Sequence, residues 1–242
     1  MHAPDGFIDA PVSIAAGAVA VAGVGLALRG ATRELDDRTA PLAGLTAAFV
    51  FAAQMLNFPV ASGTSGHLLG GALAAILVGP WTGVLCVAVV LLLQSLLFAD
   101  GGLTALGVNV ITMSLVTAAV AYPLFRALVR VLPTSRPAAA GAAFAAALVS
   151  VPASAVAFTA LYALGGTTDV SIGTVAGAMI GVHVLIGIGE ALITAATVSS
   201  VLAVRPDLVH GVRDLRRPPE LRTRGTGDAG TGGADRAEPS QA

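Results

Sequence analysis

The stretch HLLGGALAAILVGPWTGVLCVAVVLLLQSLLF, residues 67–98, decides how the rest of the chain is read. As a single helix it would be about 48 Å long at ~1.5 Å per residue, well beyond a hydrocarbon core of about 30 Å. It must turn once, and Gly79-Pro80 is the natural place, because proline has no backbone donor and disfavours helix at the residue before it. Two short spans are expected, 67–79 and 80–98.

Working outward, apolar runs at 11–28, 41–56, 106–131, 138–164 and 172–204 complete seven predicted transmembrane helices. Of 242 residues, 55% are hydrophobic and only 11% charged, against about 25% charged in a soluble domain. So few charges cannot coat a water-facing surface, which excludes a soluble globule. The expected fold class is an all-α polytopic membrane protein in the cell membrane, crossing it many times.

All 13 basic residues are arginines, and they occupy three places. Arg29, Arg33 and Arg38 lie between the first two spans, Arg126, Arg130 and Arg136 around the connection from fifth to sixth, and Arg205 through Arg236 after the seventh. With seven spans all three places share one side. The other side receives the N-terminus and the connections at 57–66, 99–105 and 165–171, none of them basic. Short cytoplasmic loops carry the positive charge, so the N-terminus is expected outside and the C-terminus in the cytoplasm. If 67–98 were one span, the Arg126 to Arg136 connection would move outside. Residues 1–210 read as the membrane-embedded unit and 211–242 as a disordered cytoplasmic tail, rich beyond Leu215 in Arg, Gly, Pro and Thr. No Lys or Arg precedes the first run, so it does not read as a cleaved signal peptide.

Several chemistries are excluded. The chain has no lysine, and a P-loop requires one for the nucleotide phosphates, so it cannot itself be an ATPase. Glu190 is the one clear intramembrane carboxylate, too little for a proton-relay antiporter. A single cysteine, Cys86, permits neither a disulfide nor a Cys-based metal site and reads as core packing. An intramembrane hydrolase would need a nucleophile beside His183 and Glu190, and none stands at suitable spacing. Energy for transport would come from a partner.

Polar chemistry collects on the side without arginines: MHAPDGF at 1–7, NFPVASGTSGH at 57–67 and DGG at 100–102. His2 directly after Met1 is informative because the Met1 α-amine, the His2 backbone nitrogen and the His2 Nδ1 can chelate one metal in fused rings. A planar set of nitrogens suits Ni(II) or Cu(II), with Co(II) in the same affinity series. His67, on the same side, is the candidate for the fourth nitrogen. The plainer alternatives are an incidental His2 in a loose terminus and an interfacial His67 that caps a helix.

These same segments carry a family resemblance. MHAPDGF from Met1, FAAQMLNFPV from Phe51, GTSGHLLGG from Gly63, DGGLTALGVNV from Asp100 and GVHVLIGIGEALIT from Gly181, in that order, resemble the CbiM/NikM family over roughly residues 1–210. That family comprises the metal-binding membrane subunits of energy-coupling factor transporters for cobalt and nickel. The resemblance implies a seven-helix substrate-specific subunit that binds Co(II) or Ni(II) as cargo through Met1, His2 and His67. It also implies a transmembrane coupling subunit, a cytoplasmic ATPase pair and a small auxiliary membrane subunit as partners, and commonly a supply of cobalt to cobalamin synthesis. The chain departs from the pattern at Ala3, where bulkier residues are common, and in its long tail.

Other polar residues carry weaker expectations. Gln54, Asn57, Gln94 and Asn109 read first as helix-to-helix hydrogen bonds and second as groups that orient the site. His183 and Glu190, seven apart on one helix face, read as a buried polar contact without a ligand role, and His210 as incidental. Asp5 and Asp100 would steer cations or solvate turns. Gly44, Ala48 and Ala52 form a small-residue stripe that admits another helix, internal or foreign. The rival function is a stand-alone permease that works without an ATPase.

Overall fold

The computed structural model describes residues 1–37, 39–56, 58, 59 and 65–216. Among these, seven helices follow one another: α1 (Ala10–Ala31), α2 (Thr39–Gln54), α3 (Gly71–Val78), α4 (Pro80–Leu97), α5 (Leu106–Val131), α6 (Arg136–Gly165) and α7 (Ile172–Val204). A two-residue antiparallel ladder, β1 (Phe58–Pro59) with β2 (Ser65–Gly66), precedes α3. Helices α1, α4, α5, α6 and α7 are long and apolar enough to cross a bilayer, and α2, of 16 residues, is shorter.

The turn at Gly79-Pro80 is where the sequence places it. Gly79 takes φ 101, ψ 154, and Pro80 opens α4. The positive φ suits glycine, and a Cβ at Gly79 would meet the Glu34 carboxyl at 2.5 Å. That carboxylate accepts hydrogen bonds from the Trp81 and Thr82 amides at 3.3 and 2.7 Å, capping α4 from the α1–α2 connection. The third expected span needs correction. Only Gly71–Val78 is helical, eight residues or about 12 Å, so α3 is a half-helix with every residue buried and not a span in its own right. Residues 67–70 stay outside the helix because other residues hold their backbone.

Small residues let the helices approach. A Cβ on Gly107 of α5 would lie 2.4 Å from the Gly17 amide nitrogen of α1, and one on Gly83 of α4 would lie 2.6 Å from that of Ala75 in α3. In α5 the segment Ile111–Val116 is a π-turn, which loosens the helical ladder, and the Thr112 carbonyl takes a 2.6 Å hydrogen bond from Ser154 of α6. Cys86 is buried with its Sγ donating to the Ala43 carbonyl at 3.4 Å, in keeping with a packing role. The Gly44, Ala48 and Ala52 stripe lies on the exposed face of α2, so it is not an internal contact.

Chain direction gives the bundle two ends. Residues 1–9, 65–70, 98–105 and 166–171 gather at one, and residues 32–37, 79–80 and 132–135 at the other, with the arginines among the described residues. At the arginine end the chain continues past α7 in 3-10 turns, Pro206–Leu208 and His210–Arg216. Val209 and Val212 are buried, and Arg126 donates to the Gly211 carbonyl at 2.8 Å. The packed unit thus runs past residue 210. The expected tail lies, from 217 onward, outside the described residues.

Candidate metal centre

The N-terminal segment turns into the bundle. Asp9 caps α1, its carboxylate accepting from the Val12 amide at 2.9 Å, and just before it the chain is strapped to the start of the α6–α7 connection. The Asp9 amide donates to the Gly165 carbonyl at 2.7 Å, and Thr167 donates through its amide to Phe7 and through its hydroxyl to the Gly6 carbonyl. The Phe7 ring packs against Phe158 and Tyr162 at 6.0 and 5.4 Å. Asp5 accepts from the Thr104 amide and hydroxyl, both at 2.7 Å, so its carboxylate fixes a turn. With its exit strapped in this way, the terminus points inward. Met1 is 0% exposed, and its sulfur lies 3.3 Å from the Ser154 hydroxyl oxygen.

The next residues are held by their backbone. Asn109 accepts from the Ala3 amide at 2.8 Å and donates to the Ala3 carbonyl at 3.2 Å, and the Gly102 amide donates to the same carbonyl at 2.9 Å. Of the two readings of Asn109, orientation of the site is therefore the one observed. This clamp sets His2 against Gly101, where φ is 89 and a Cβ would lie 2.7 Å from the His2 Nδ1. The His2 and His67 rings lie with centroids 4.5 Å apart and planes tilted by 33°. The Asp100 carboxylate stands 3.8 Å from the His2 Nε2, which makes no hydrogen bond.

His67 is presented by a backbone that three other side chains support or permit. Glu190 of α7 accepts from the Leu69 and Gly70 amides at 2.6 and 3.0 Å, and Gln54 of α2 donates to the Leu69 carbonyl at 2.6 Å. Gly70, at φ 76, packs on Val50 where a Cβ would not fit. The His67 Nδ1 pairs with the Leu68 carbonyl at 2.8 Å, which requires the proton on Nδ1 and leaves the Nε2 lone pair free; that nitrogen is buried without a partner. Glu190 thus holds the site loop and does not bridge two helices, a role its spacing from His183 did not reveal.

Burial prepares the donors. It pushes the Met1 amine down to about 4, with Asp100 opposing. It also pushes the His2 imidazole down to about 4, the amine's charge adding to the effect and Asp100 again opposing. Near neutral pH both nitrogens carry lone pairs. No three His, Cys, Asp or Glu side chains converge on one point among the described residues.

The structure brings Met1, His2 and His67 into one neighbourhood. It adds His183, buried on α7, within electrostatic range of the Met1 amine and of His67. Its motif position signalled a polar helix contact, yet its Nδ1 bonds only the Met179 carbonyl of its own helix at 2.7 Å. Gln94 is buried with no hydrogen bond to its amide, and His210 lies at the far end with its ring 6.0 Å from Tyr122. Asn57 lies outside the described residues.

Comparison with known proteins places the chain in a family. A Haloquadratum walsbyi protein, whose name assigns it provisionally to metal transport, is 42% identical over 209 residues, covering 86% of this chain and 93% of its own. An Archaeoglobus fulgidus protein, named provisionally as a fused nickel transport protein, is 41% identical over 212 residues, covering 87% of this chain and 68% of its own. A crystal structure of a transition metal transporter superposes with a TM-score of 0.75 at 26% identity, covering 90% of this chain and all of that one. The pattern described as the cobalt uptake substrate-specific transmembrane region matches residues 2–208, and the chain, a multi-pass integral membrane protein, belongs to that family, CbiM.

Proposed function

We propose that the chain is the substrate-binding subunit of an energy-coupling factor importer that captures Co(II) outside the cell through the Met1 amine, the His2 backbone and Nδ1 nitrogens, and the His67 Nε2. The observation that carries this reading is the fully buried Met1 terminus, within electrostatic range of two imidazoles whose ring centroids lie 4.5 Å apart. Deprotonation of the His2 amide on binding would make the donor set planar, and the adjacent Asp100 carboxylate would attract the dication. In the present rotamer Nδ1 faces Gly101, so chelation requires the His2 ring to turn about its own axis. Cobalt is our assignment because the family is described by cobalt uptake; the same four nitrogens would serve Ni(II), the metal in the Archaeoglobus relative's name.

The N-terminal face would be extracellular and the arginine end cytoplasmic, following the distribution of charge. Transport would need a transmembrane coupling subunit, an ATPase pair and a small auxiliary subunit, because this chain has no lysine for a P-loop. The metal would then be available to cobalamin synthesis.

One residue inserted between Met1 and His2 keeps every side chain and moves the amine out of its chelate ring. We expect the wild-type chain to bind one Co(II) and the insertion variant and His67→Ala to lose it. Equal binding by the insertion variant would remove Met1 from the ligand set. ATP-independent uptake by vesicles holding only this chain would instead favour the stand-alone permease.

A further inference from the structure

His183 is fully buried, and its environment matches that of a metal-ligating histidine on three counts. Its Nδ1 donates to the Met179 carbonyl at 2.7 Å, which fixes the tautomer with the lone pair on Nε2. That Nε2 is buried and makes no hydrogen bond, a state that polar groups in a protein interior rarely tolerate without a use. The ring lies within electrostatic range of both the Met1 amine and His67, yet it does not join His2 and His67 in one cluster of side-chain ligands. It stands eleven residues into α7, about 17 Å along that helix from the N-terminal face at ~1.5 Å per residue. A structural histidine would account for the Nδ1 bond alone.

We propose that His183 is a second metal ligand, an inner station that takes Co(II) or Ni(II) from the Met1, His2 and His67 set as the ion moves toward the arginine end. This rests on the reading that those three residues bind the metal. His67 has its own Nε2 lone pair unused by hydrogen bonds and lies within electrostatic range of His183, so an ion released by the N-terminal chelate has a second imidazole to pass to. The station is the weaker of the two, because it offers one imidazole where the outer site offers four nitrogens.

The test uses the purified full-length chain loaded with Co(II). In His183→Cys a visiting cobalt displaces the thiol proton to solvent and gives a thiolate-to-cobalt charge-transfer band. Wild type should lack it, since Cys86 is buried against the Ala43 carbonyl. In His183→Gln the first equivalent should bind within about threefold of wild type, and cobalt uptake by cells carrying the intact transporter should fall at least tenfold. Gel filtration and melting of the Gln variant check that it folds. No band in His183→Cys, with normal outer-site binding, overturns the inner station alone. Loss of the first equivalent in a folded His183→Gln overturns it too, by making His183 part of the outer site. A wild-type chain that binds no cobalt defeats the outer-site reading and the station with it.

Discussion

Gly101 illustrates how much of the centre is set by backbone. Its φ of 89 suits glycine, and a Cβ there would lie 2.7 Å from the His2 Nδ1 and 3.0 Å from the Asn109 Nδ2. Gly101→Ala should therefore displace His2 and weaken metal binding by roughly 10- to 100-fold, the effect typical of residues that position a ligand. Asn109→Leu, which removes both hydrogen bonds to Ala3, should do the same without touching a donor atom, and titration of the purified variants checks both. The proposed ligands could be named from the sequence because an amine, an amide and an imidazole in two consecutive residues form a recognisable chelator. Their supports could not. Asn109 acts on the main chain of residue 3 from 106 positions away, and Glu190 on residues 69 and 70, pairings that no local pattern records.

Among the elements, the break at Gly79-Pro80 could be read directly, since proline and a positive-φ glycine punctuate a helix by local sterics. The length of α3 could not. Leu68 and Leu69 are apolar enough to continue the run, yet residues 67–70 are held out of the helix by the Glu190 carboxylate and the Gln54 amide. Glu190→Gln halves that hold by replacing one acceptor oxygen with a donor. A buried charge-assisted hydrogen bond contributes about 1.5–3 kcal/mol, so the variant should be destabilised by that order and should bind metal more weakly through a misplaced His67. Glu34→Ala removes the cap of α4 at the opposite end and should cost about 1 kcal/mol or somewhat more in melting experiments while leaving metal affinity unchanged. The contrast between the two variants separates support of the site from support of the bundle.

For the whole molecule, alternation of loops between two ends follows from the count of helices, and it was legible because every arginine among the described residues obeys it. Thr134→Cys at the arginine end and Asp169→Cys at the other, both exposed, should react with an impermeant maleimide from opposite faces of intact cells. Thr134→Cys reacting from outside would reverse the orientation. Burial of the terminus also makes stability depend on pH. The Met1 amine falls from 8.0 to about 4 and His2 from 6.5 to about 4 on folding, so in those windows the unfolded chain binds protons that the folded chain does not. The metal-free protein should lose stability as pH falls from about 8 toward 4, and metal affinity should fall in the same direction as protons compete for the amine, imidazoles and amide. A melting temperature that rises on acidification through this range would contradict the buried neutral amine.

The central claim, a planar site made from the first two residues and His67, is tested most directly by X-ray absorption of the purified chain loaded with Ni(II), the ion with the sharper planar signature. The account predicts one metal with four nitrogen neighbours, no sulfur, and the edge shape of a square plane. Six oxygen-rich neighbours, or a sulfur from Met1, would contradict it.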